Sequence, residues 1–545
     1  MGRYVHPRFA WHPTPDAAAS SPVEHETVIV GAGPVGLALA LDLAARGRPV
    51  LLVDDDDTVS VGSRAICWSK RTLEIMDRLG LGDRLLAKGV TWNTGRVFFR
   101  DREVWRFDLL PEPGHRMPAF VNLQQYWFEQ FAVEEAGARP RVEIRWKTRV
   151  TAVEPSPDGV LVTLVDPAGR YRLHARYLLA CDGARSSIRR MLGLDFRGRV
   201  FEDRFLITDV HMQAEFPAER WFWFEPPFHP GHSALLHRQA DDIWRIDLQL
   251  GPEADPEEEK KPERVIPRLR AMLGERQFEL DWVSVYTFQC RRLPHFRHGR
   301  VIFAGDSAHQ VSPFGARGGN GGIQDADNLA WKLALVLDGR APESLLESYD
   351  LERGQAADEN ILHSTRSTDF IVPRTPAAIA FRDAVLELAE RFPFARRFVN
   401  SGRLSLPTVY DGSPLNSPDE AAFPSAMRPG SAATDAPVGI DGRRDWLLHA
   451  LGPEFTLLLA PGDGVAVEEL RNAVADLPVS VAVRTVGLGQ DADLHDCDGL
   501  VTRRYDLWPG TAYLFRPDQH VCARFRSPRP EGVRRAVLRA MGWEV

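Results

Sequence analysis

Three glycines at fixed spacing, Gly31, Gly33 and Gly36, follow the apolar run 28–30 and open an apolar segment that reaches Ala45. Glycine permits a tight turn at the first position, close approach of a pyrophosphate at the second, and close helix–strand packing at the third. The free N–H groups and the positive end of the following helix would bind phosphate. The spacing therefore predicts a dinucleotide site. The alternative is an apolar core unit whose glycines serve only the turn.

Asp54 closes the next apolar run, residues 50–53, and stands 18 residues past Gly36. A carboxylate at this place accepts hydrogen bonds from both hydroxyls of a ribose and repels a 2′-phosphate, which favours FAD or NAD over NADP. Arg64 lies in the loop that follows. A cation there could contact the pyrophosphate, whereas the alternative is a solvated loop arginine.

Two further stretches repeat the pattern of an apolar strand followed by an acid and a turn. Asp182 and Gly183 follow one such strand, and Asp306 follows another. A glycine-rich loop, residues 313–320, then leads into a long helix. Its backbone N–H groups and the positive end of that helix would stabilise negative charge. The alternative is a glycine-rich surface turn.

The elements that must position these residues alternate between helices and strands. Periodicity predicts helices over 71–79, 122–136, 466–476 and 531–541, and strands within 95–110 and 142–166. Residues 195–290 contain strand-like pieces dense in Trp and Phe. This change of texture favours an antiparallel sheet inserted between two parts of a nucleotide-binding domain.

Composition restricts the class of protein. A chain of 545 residues predicts two or three domains, and 44% hydrophobic with 26% charged residues is typical of a soluble globular protein. A net charge of −8 argues against nucleic-acid binding. Five cysteines without a CxxC pair favour a reducing cytoplasm and predict neither a disulfide framework nor a metal site. Residues 1–24 lack a secretion signal, and Asp42 within the apolar run argues against a membrane span.

Three ordered motifs together resemble one family. They are GAGPVG with Asp54, CDGARSSIRR over 181–190, and GDSAHQVSPFGARGGNGGIQDADNLAWKL over 305–333. In combination they closely resemble the class A FAD-dependent aromatic hydroxylases, from residue 25 onward. The third motif looks most like the phenol hydroxylase and 3-(3-hydroxyphenyl)propionate hydroxylase branches, and the stretch NLQQYWFE is similar to methylnitrocatechol monooxygenases.

The resemblance implies an α/β fold: a Rossmann-like FAD-binding domain, an inserted antiparallel-sheet substrate domain and a C-terminal thioredoxin-like domain without CxxC. The expected divisions are an arm over 1–24, the FAD-binding domain over 25–194 and 291–400, the substrate sheet over 195–290, a linker over 401–440 and the last domain over 441–545.

The resemblance also implies the cofactor contacts. Gln125 matches a glutamine that contacts the ribityl and phosphate region, with Gln124 as the neighbouring candidate. Asp182 and Gly183 would be shared between FAD and the nicotinamide nucleotide. The full set expected at FAD is Gly31, Gly33, Pro34, Gly36, Asp54, Arg64, Gln125, Val150, Asp182, Gly183, Asp306, Pro313, Gly315, Gly318, Gly319 and Asn320.

The implied reaction is hydroxylation of a phenol. NADH or NADPH, docking transiently, would reduce FAD, and dioxygen would then give a flavin hydroperoxide that the phenol ring attacks. A base would supply the more reactive phenolate; the candidates are His237, Tyr286 and His229, each with a structural role as the alternative. Residues expected at the substrate are Trp221, Trp223 and Phe314, with core packing as the alternative.

Two other functions are compatible with such a chain. A flavin oxidase or dehydrogenase would release peroxide without inserting oxygen, and a non-enzymatic FAD-binding module would do neither. The identity of the phenol, the choice of nicotinamide nucleotide and a homodimeric state, which the resemblance makes plausible, stay open at this stage. His309, three residues after Asp306, is expected to be structural.

Overall fold

The computed structural model describes residues 4–399, 404–462, 466–489 and 492–544. The parts of the expected arm and linker that fall on residues 1–3 and 401–403 lie outside the described residues. The strands are β1 Val23–Val30, β2 Val50–Val53, β3 Cys67–Ser69, β4 Val90–Trp92, β5 Thr94–Phe99, β6 Arg102–Asp108, β7 Phe120–Asn122, β8 Val142–Arg145, β9 Arg149–Pro155, β10 Val160–Asp166, β11 Gly169–Ala180, β12 Arg197–His211, β13 Arg220–Phe224, β14 Ser233–Arg238, β15 Ile243–Leu250, β16 Glu279–Arg292, β17 Arg297–His298, β18 Val301–Phe303, β19 His309–Gln310, β20 Pro437–Ile440, β21 Arg443–Trp446, β22 Phe455–Leu459, β23 Val481–Gly487, β24 Leu494–Asp496, β25 Ala512–Phe515 and β26 Val521–Phe525.

The α-helices are α1 Pro34–Ala45, α2 Lys70–Arg78, α3 Gly82–Lys88, α4 Gln125–Gly137, α5 Ser187–Met191, α6 Pro256–Glu259, α7 Pro262–Leu273, α8 Gly318–Leu337, α9 Glu347–Ile371, α10 Pro376–Arg391, α11 Pro393–Arg396, α12 Leu447–Leu451, α13 Val467–Val474, α14 Leu500–Tyr505 and α15 Pro530–Ala540. Short 3-10 helices cover Pro15–Ala18, Gly305–Ser307, Pro313–Gly315 and Glu343–Leu346. None of the described helices is long and apolar enough to cross a bilayer.

The first sheet is the mostly parallel, doubly covered sheet that the opening motif predicts. Its order is β17-β18-β11-β1-β2-β8, with β10 and β9 added in antiparallel fashion beyond β11. β2 is buried along its whole length, and β1 is buried over its last four residues. Helices α1 and α8 pack against each other beside this sheet. Apolar runs without alternation form such strands because both faces are covered.

The second sheet is larger than the sequence predicts. Its order is β19-β16-β12-β15-β14-β13-β5-β6, so β5 and β6 belong to it although they precede the expected boundary at residue 195. β5 pairs in parallel with β13, from Arg220 opposite Gly95 to Phe224 opposite Phe99. The sheet therefore extends beyond residues 195–290, because a hairpin close to the first domain in sequence completes it in space, while the domain limits themselves stay a prediction.

The two faces of the second sheet bury different clusters. The inner face, which carries Phe205, Phe222 and Leu235, packs with Phe314 from the glycine-rich loop. The outer face, which carries Leu206, Trp244 and Ile246, packs with residues of α7. Only the inner face therefore looks towards the glycine-rich loop.

The third sheet forms the C-terminal domain, with the order β21-β20-β24-β23-β22-β25-β26. β22 pairs in parallel with β23 and antiparallel with β25, which is the mixed core of a thioredoxin-like unit. Cys497 and Cys522 are both free thiols. The segment 404–436 has no helix or ladder strand and lies against the protein through buried Leu404, Tyr410 and Leu415.

Candidate active site

Four loops meet at one edge of the first sheet. β1, β11 and β18 are neighbouring parallel strands, with Val30 opposite Ala180 and Ala180 opposite Phe303. β2 lies on the other side of β1, with Val53 opposite Val30. Because the carboxyl ends of parallel strands share an edge, the turn after each strand opens into the same crevice, where open α/β sheets bind ligands. We call this space the cleft.

The glycine turn after β1 has the three properties that the spacing predicts. Gly31 has φ +106°, and a Cβ there would overlap the carbonyl of Cys181. A Cβ at Gly36 would overlap the carbonyl of Gly31, so helix and strand pack closely. A Cβ at Gly33 would meet only the Glu129 carboxylate, at 4.0 Å. The space beside Gly33 and Pro34, at the N-terminus of α1, is therefore open to a ligand.

Two carboxylates beside this turn are fixed by backbone N–H groups. Asp54 accepts hydrogen bonds from the N–H of Ala32 (2.6 Å) and of Asp56 (2.9 Å), and burial raises its pKa. Asp182 accepts from the N–H groups of Ser187 and Ile188 through one oxygen, while its other oxygen, Oδ1, is buried without a hydrogen-bond partner among the described residues. An orphaned carboxylate oxygen beside an open cleft is a place for a ligand donor.

The third acid faces the glycine-rich loop. Asp306 lies at the cleft, where the many surrounding protein atoms desolvate its carboxyl and raise its pKa. A Cβ at Gly318 would lie 3.9 Å from Asp306 Oδ1 without touching backbone, so this part of the loop is open as well. α8 begins at Gly318, and its 20 residues direct a positive helix end at the cleft.

The loop is tied down by a residue expected to bind the cofactor. The Asn320 side chain accepts from the Ser69 N–H (2.8 Å) and donates to the carbonyls of Cys67 and Ala316 (2.8 and 2.6 Å). Its side chain is thus committed to the protein. Val150 is buried in β9, opposite Leu164 of β10. Pro313 is exposed and Gly315 is buried in the 3-10 turn that precedes α8.

A second loop, residues 60–66, borders the cleft and contains Arg64. Gln125 Oε1 accepts from the Ala65 N–H (3.1 Å), and Glu129 Oε2 accepts from the Ser60 N–H (2.6 Å). Arg64 itself is exposed, and its guanidinium makes no hydrogen bond or ion pair within the described residues. Gln124, the alternative to Gln125, is fully buried and donates to the Ala240 carbonyl (3.0 Å).

The inner face of the second sheet carries a polar cluster that sequence reasoning found only in part. Directly paired residues share a face, and the register pairs Asp209 with Arg245, Arg245 with His237, and His237 with Arg220. Tyr286 pairs with Phe205 and lies on the same face. Two of the three candidate bases, His237 and Tyr286, are therefore on one surface, together with the unpredicted Asp209, Arg220, Arg245 and Asp247. The sequence does not predict that these four charged residues are buried, because no local pattern of polar and apolar residues marks them.

The protonation states on this face differ from those in water. Burial, together with Arg220 and Arg245, holds the pKa of His237 well below its usual range, so the imidazole is neutral. Burial raises the pKa of Tyr286, so the phenol keeps its proton. Burial raises the pKa of Asp209 to about 7 against the effect of Arg245. Perturbed groups of this kind cluster at functional sites.

The two tryptophans expected at the substrate lie on the outer face of the second sheet. Trp221 and Trp223 share a face, as alternation predicts, but it is the outer face, where Trp223 stacks on Phe98 with centroids 5.1 Å apart. They therefore lie on the face opposite to that of Phe314, and their contact with the substrate stays a prediction. Phe314 does lie at the inner face, where its ring packs edge-on against Phe205 (4.8 Å) and Phe288 (5.3 Å).

Two histidines have structural partners. His309 Nε2 lies 2.7 Å from Asp325 Oδ2, and both are buried together with Arg353, whose Nε donates to Asp325 Oδ1 (2.6 Å). The structural role expected for His309 agrees with this geometry. His229 Nε2 bonds to the Gln249 carbonyl (2.7 Å), which occupies that ring nitrogen.

The cleft fits FAD on the observations above. It offers an open glycine turn at a helix N-terminus, carboxylates for ribose hydroxyls, an unpaired guanidinium for the pyrophosphate, and a second helix end facing a glycine loop. These features define a flavoprotein of Rossmann type whose second sheet contacts the loops that border the cleft.

Comparison with known proteins gives the family. The family model described as FAD binding domain matches residues 24–364. A probable NADH-specific resorcinol 4-hydroxylase of Rhodococcus jostii is 30% identical over 91% of both chains. The 6-methylpretetramide 4-monooxygenase of Streptomyces rimosus is 33% identical over 92% of this chain and 90% of that one. The flavin-dependent monooxygenase PieE, solved with FAD and substrate, superposes with a TM-score of 0.82 over 96% of this chain and all of that one at 24% identity, which concerns the fold.

The chain belongs to the FAD binding domain family of flavoprotein monooxygenases. FAD is its cofactor, the resemblance to aromatic hydroxylases is confirmed, and the three-part α/β fold is confirmed.

Proposed function

We propose that this enzyme hydroxylates an electron-rich phenol, with NADH as the reductant and dioxygen as the oxygen source. The observation that carries the proposal is the inner face of the second sheet, where His237, Arg220 and Arg245 share one buried surface and Arg245 binds the loop that borders the cofactor cleft. Bound FAD supplies hydride acceptance and dioxygen activation, which side chains alone cannot provide. The probable NADH-specific resorcinol 4-hydroxylase supports a phenolic substrate and NADH, and the 6-methylpretetramide 4-monooxygenase supports oxygen insertion.

In this proposal His237 accepts the phenol proton and Tyr286 donates a hydrogen bond. His237 Nδ1 lies 4.0 Å from Cys67 Sγ, and Nε2 has no hydrogen bond within the described residues, so Nε2 is the nitrogen available to a ligand. Arg220 and Arg245 are buried nearby and would stabilise the phenolate. Tyr286 cannot be the base near neutral pH because its raised pKa keeps it protonated.

The experiment is anaerobic reduction of the purified holoenzyme by NADH and by NADPH, followed by dioxygen. Resorcinol and a multi-ring phenol serve as one-ring and polycyclic substrates. We expect one of them to accelerate flavin reduction by NADH and to yield one hydroxylated product per NADH. Reduction that ignores every phenol, with peroxide as the sole product, would contradict the proposal and favour an oxidase.

His237→Gln tests the base separately. Loss of general-base catalysis costs about 10²- to 10⁴-fold in rate, so we expect kcat to fall within that range while flavin reduction by NADH continues. His229→Gln is the matched control, because its ring nitrogen is already bound to the Gln249 carbonyl. Equal losses in both variants would refute the assignment. The cytoplasmic location, the domain limits and the homodimer stay predictions; sedimentation velocity tests the last.

A further inference from the structure

An arginine of the second sheet binds the backbone of the loop that carries Arg64. Arg245 Nη1 donates to the Ser63 carbonyl at 2.6 Å and to the Arg64 carbonyl at 3.0 Å. The donor and its acceptors are more than 180 residues apart in sequence. A residue of the substrate sheet thus fixes the backbone of the residue that borders the cofactor cleft.

Arg245 is itself held in one orientation. Its Nε donates to Asp247 Oδ1 at 2.8 Å, and both side chains are buried, with 5% and 10% of their surfaces exposed. Asp247 offsets the burial of this guanidinium and keeps its pKa raised. A buried charge needs such a partner, and a planar guanidinium held at Nε presents Nη1 in a fixed direction.

The loop 60–66 also packs against β16 of the second sheet. Gly62 has φ +78°, and a Cβ there would overlap the indole ring of Trp282. Trp282 is directly paired with Asp209 in the inner-face register. Residues 62–64 therefore rest on the inner face, while α4 holds positions 60 and 65 through Glu129 and Gln125. With its backbone fixed at these points, Arg64 extends an unpaired guanidinium.

We propose that Arg245 is a positioning residue for the cofactor: by binding the Ser63 and Arg64 carbonyls it holds the Arg64 guanidinium at the FAD pyrophosphate. The substrate sheet thereby sets part of the affinity for FAD. This inference rests on the cofactor contact assigned to Arg64. Arg245 acts through Arg64 and touches no reacting atom in this role.

The test measures the dissociation constant of FAD by flavin fluorescence on the apoprotein. Loss of hydrogen bonds from a charged donor predicts a rise of about 10- to 100-fold for Arg245→Met. Arg245→Lys keeps a cationic donor and should recover most of the affinity. Arg238→Met is the matched control, because Arg238 lies on the neighbouring strand and on the outer face, over Trp244 at 5.8 Å. It should change the constant less than about twofold.

A double-mutant cycle identifies the route of the effect. If Arg245 acts through Arg64, Arg245→Met should add little to the loss already caused by Arg64→Ala. The proposal would be overturned if the loss of FAD affinity in the double variant were the product of the two single losses. It would also be overturned if Arg245→Met alone had no effect. An Arg64→Ala variant that binds FAD normally would instead overturn the assigned contact of Arg64, so the two failures are distinguishable.

Thermal melting and far-UV circular dichroism accompany each variant. If Arg245→Met does not fold, Asp247→Asn replaces it, because it weakens the orientation of Arg245 and leaves its charge. We then expect a smaller rise of the FAD dissociation constant that disappears in the Arg64→Ala background. An unchanged constant in folded Asp247→Asn protein would refute the proposal.

Discussion

Gly33 and Gly36 of the first turn differ in the room that each leaves for a side chain. A Cβ at Gly36 would overlap the Gly31 carbonyl, whereas a Cβ at Gly33 meets nothing closer than the Glu129 carboxylate at 4.0 Å. Gly33 also has φ −77°, which any residue adopts. Gly36, which packs on the Gly31 carbonyl, is therefore required by the fold, whereas Gly33 is required by the ligand.

This difference predicts separate effects of two alanine substitutions. Gly36→Ala should destabilise the apoprotein, because overpacking against backbone costs about 1–3 kcal/mol or more. Gly33→Ala should leave the melting temperature of the apoprotein unchanged and weaken FAD binding, since its methyl group would occupy the space of the pyrophosphate. Melting of the apoprotein and titration with FAD measure both quantities. Normal FAD affinity in Gly33→Ala would mean that the dinucleotide lies elsewhere.

The N-terminal arm packs against α4 and against the loop that follows Asp54. Tyr4 stacks on Tyr126 with centroids 4.1 Å apart and donates to Gln130 Oε1 at 2.8 Å. Phe9 stacks on Trp146 at 4.4 Å. The Phe9 N–H also donates to the Asp57 carbonyl at 2.8 Å. The arm therefore clamps the loop after Asp54 against α4, which carries Gln125 and Glu129.

Removing this clamp should loosen the cofactor loop. Phe9→Ala deletes a half-buried ring, which costs about 1–3 kcal/mol of the local packing, and we expect faster release of FAD and faster proteolytic cleavage within residues 54–66. Val5→Ala is a suitable control, because Val5 is 84% exposed and lies on the same arm. Equal FAD release from the two variants and the native protein would show that the arm does not restrain the loop.

Local elements were predictable, and their long-range partners were not. The β1–α1–β2 unit follows from periodicity and glycine spacing, because each of its contacts lies within about 30 residues. Alternation within residues 95–110 predicts the strands β5 and β6 but not the sheet that they join, since pairing with a strand distant in sequence leaves no local pattern. Alternation placed Trp221 and Trp223 on one face, but a period of two does not say which face looks at the cleft. For the same reason the sequence does not predict that Arg245 of β15 faces the loop that borders the cleft.

At the scale of the whole molecule, buried charges join the C-terminal domain to the FAD-binding domain. Arg516, at the end of β25, donates to Glu352 of α9 at 2.5 Å, and Lys332 of α8 donates to the same carboxylate at 2.7 Å. All three side chains are at most 1% exposed. Breaking a buried pair on one side costs about 3–5 kcal/mol, which makes the C-terminal domain an integral part of the enzyme.

A second link between the same domains depends on pH. His449 of α12 bonds to Asp77 of α2 through Nε2 and to Asp445 through Nδ1, both at 2.7 Å. The hydrogen bond to Asp77 and then that to Asp445 raise the pKa of His449 to about 9 from its ordinary 6.5. Arg116 also contacts Asp77, at 2.7 Å, and stays charged throughout this range.

The direction of the pH effect follows from that raised pKa. A group that binds its proton more tightly in the folded state contributes its full stabilisation below pH 6.5 and loses it as pH rises towards 9. We therefore expect the free energy of unfolding to fall over this interval by at most about 1 kcal/mol, since His449 is partly exposed and solvent screens the pair. The difference in melting temperature between native protein and His449→Gln, measured at pH 6 and pH 9, isolates this contribution. The difference should be present at pH 6 and much smaller at pH 9, where about half of the imidazole has lost the proton that pairs it with Asp77. A difference of the same size at pH 6 and pH 9 would show that His449 joins the domains by packing and not by charge.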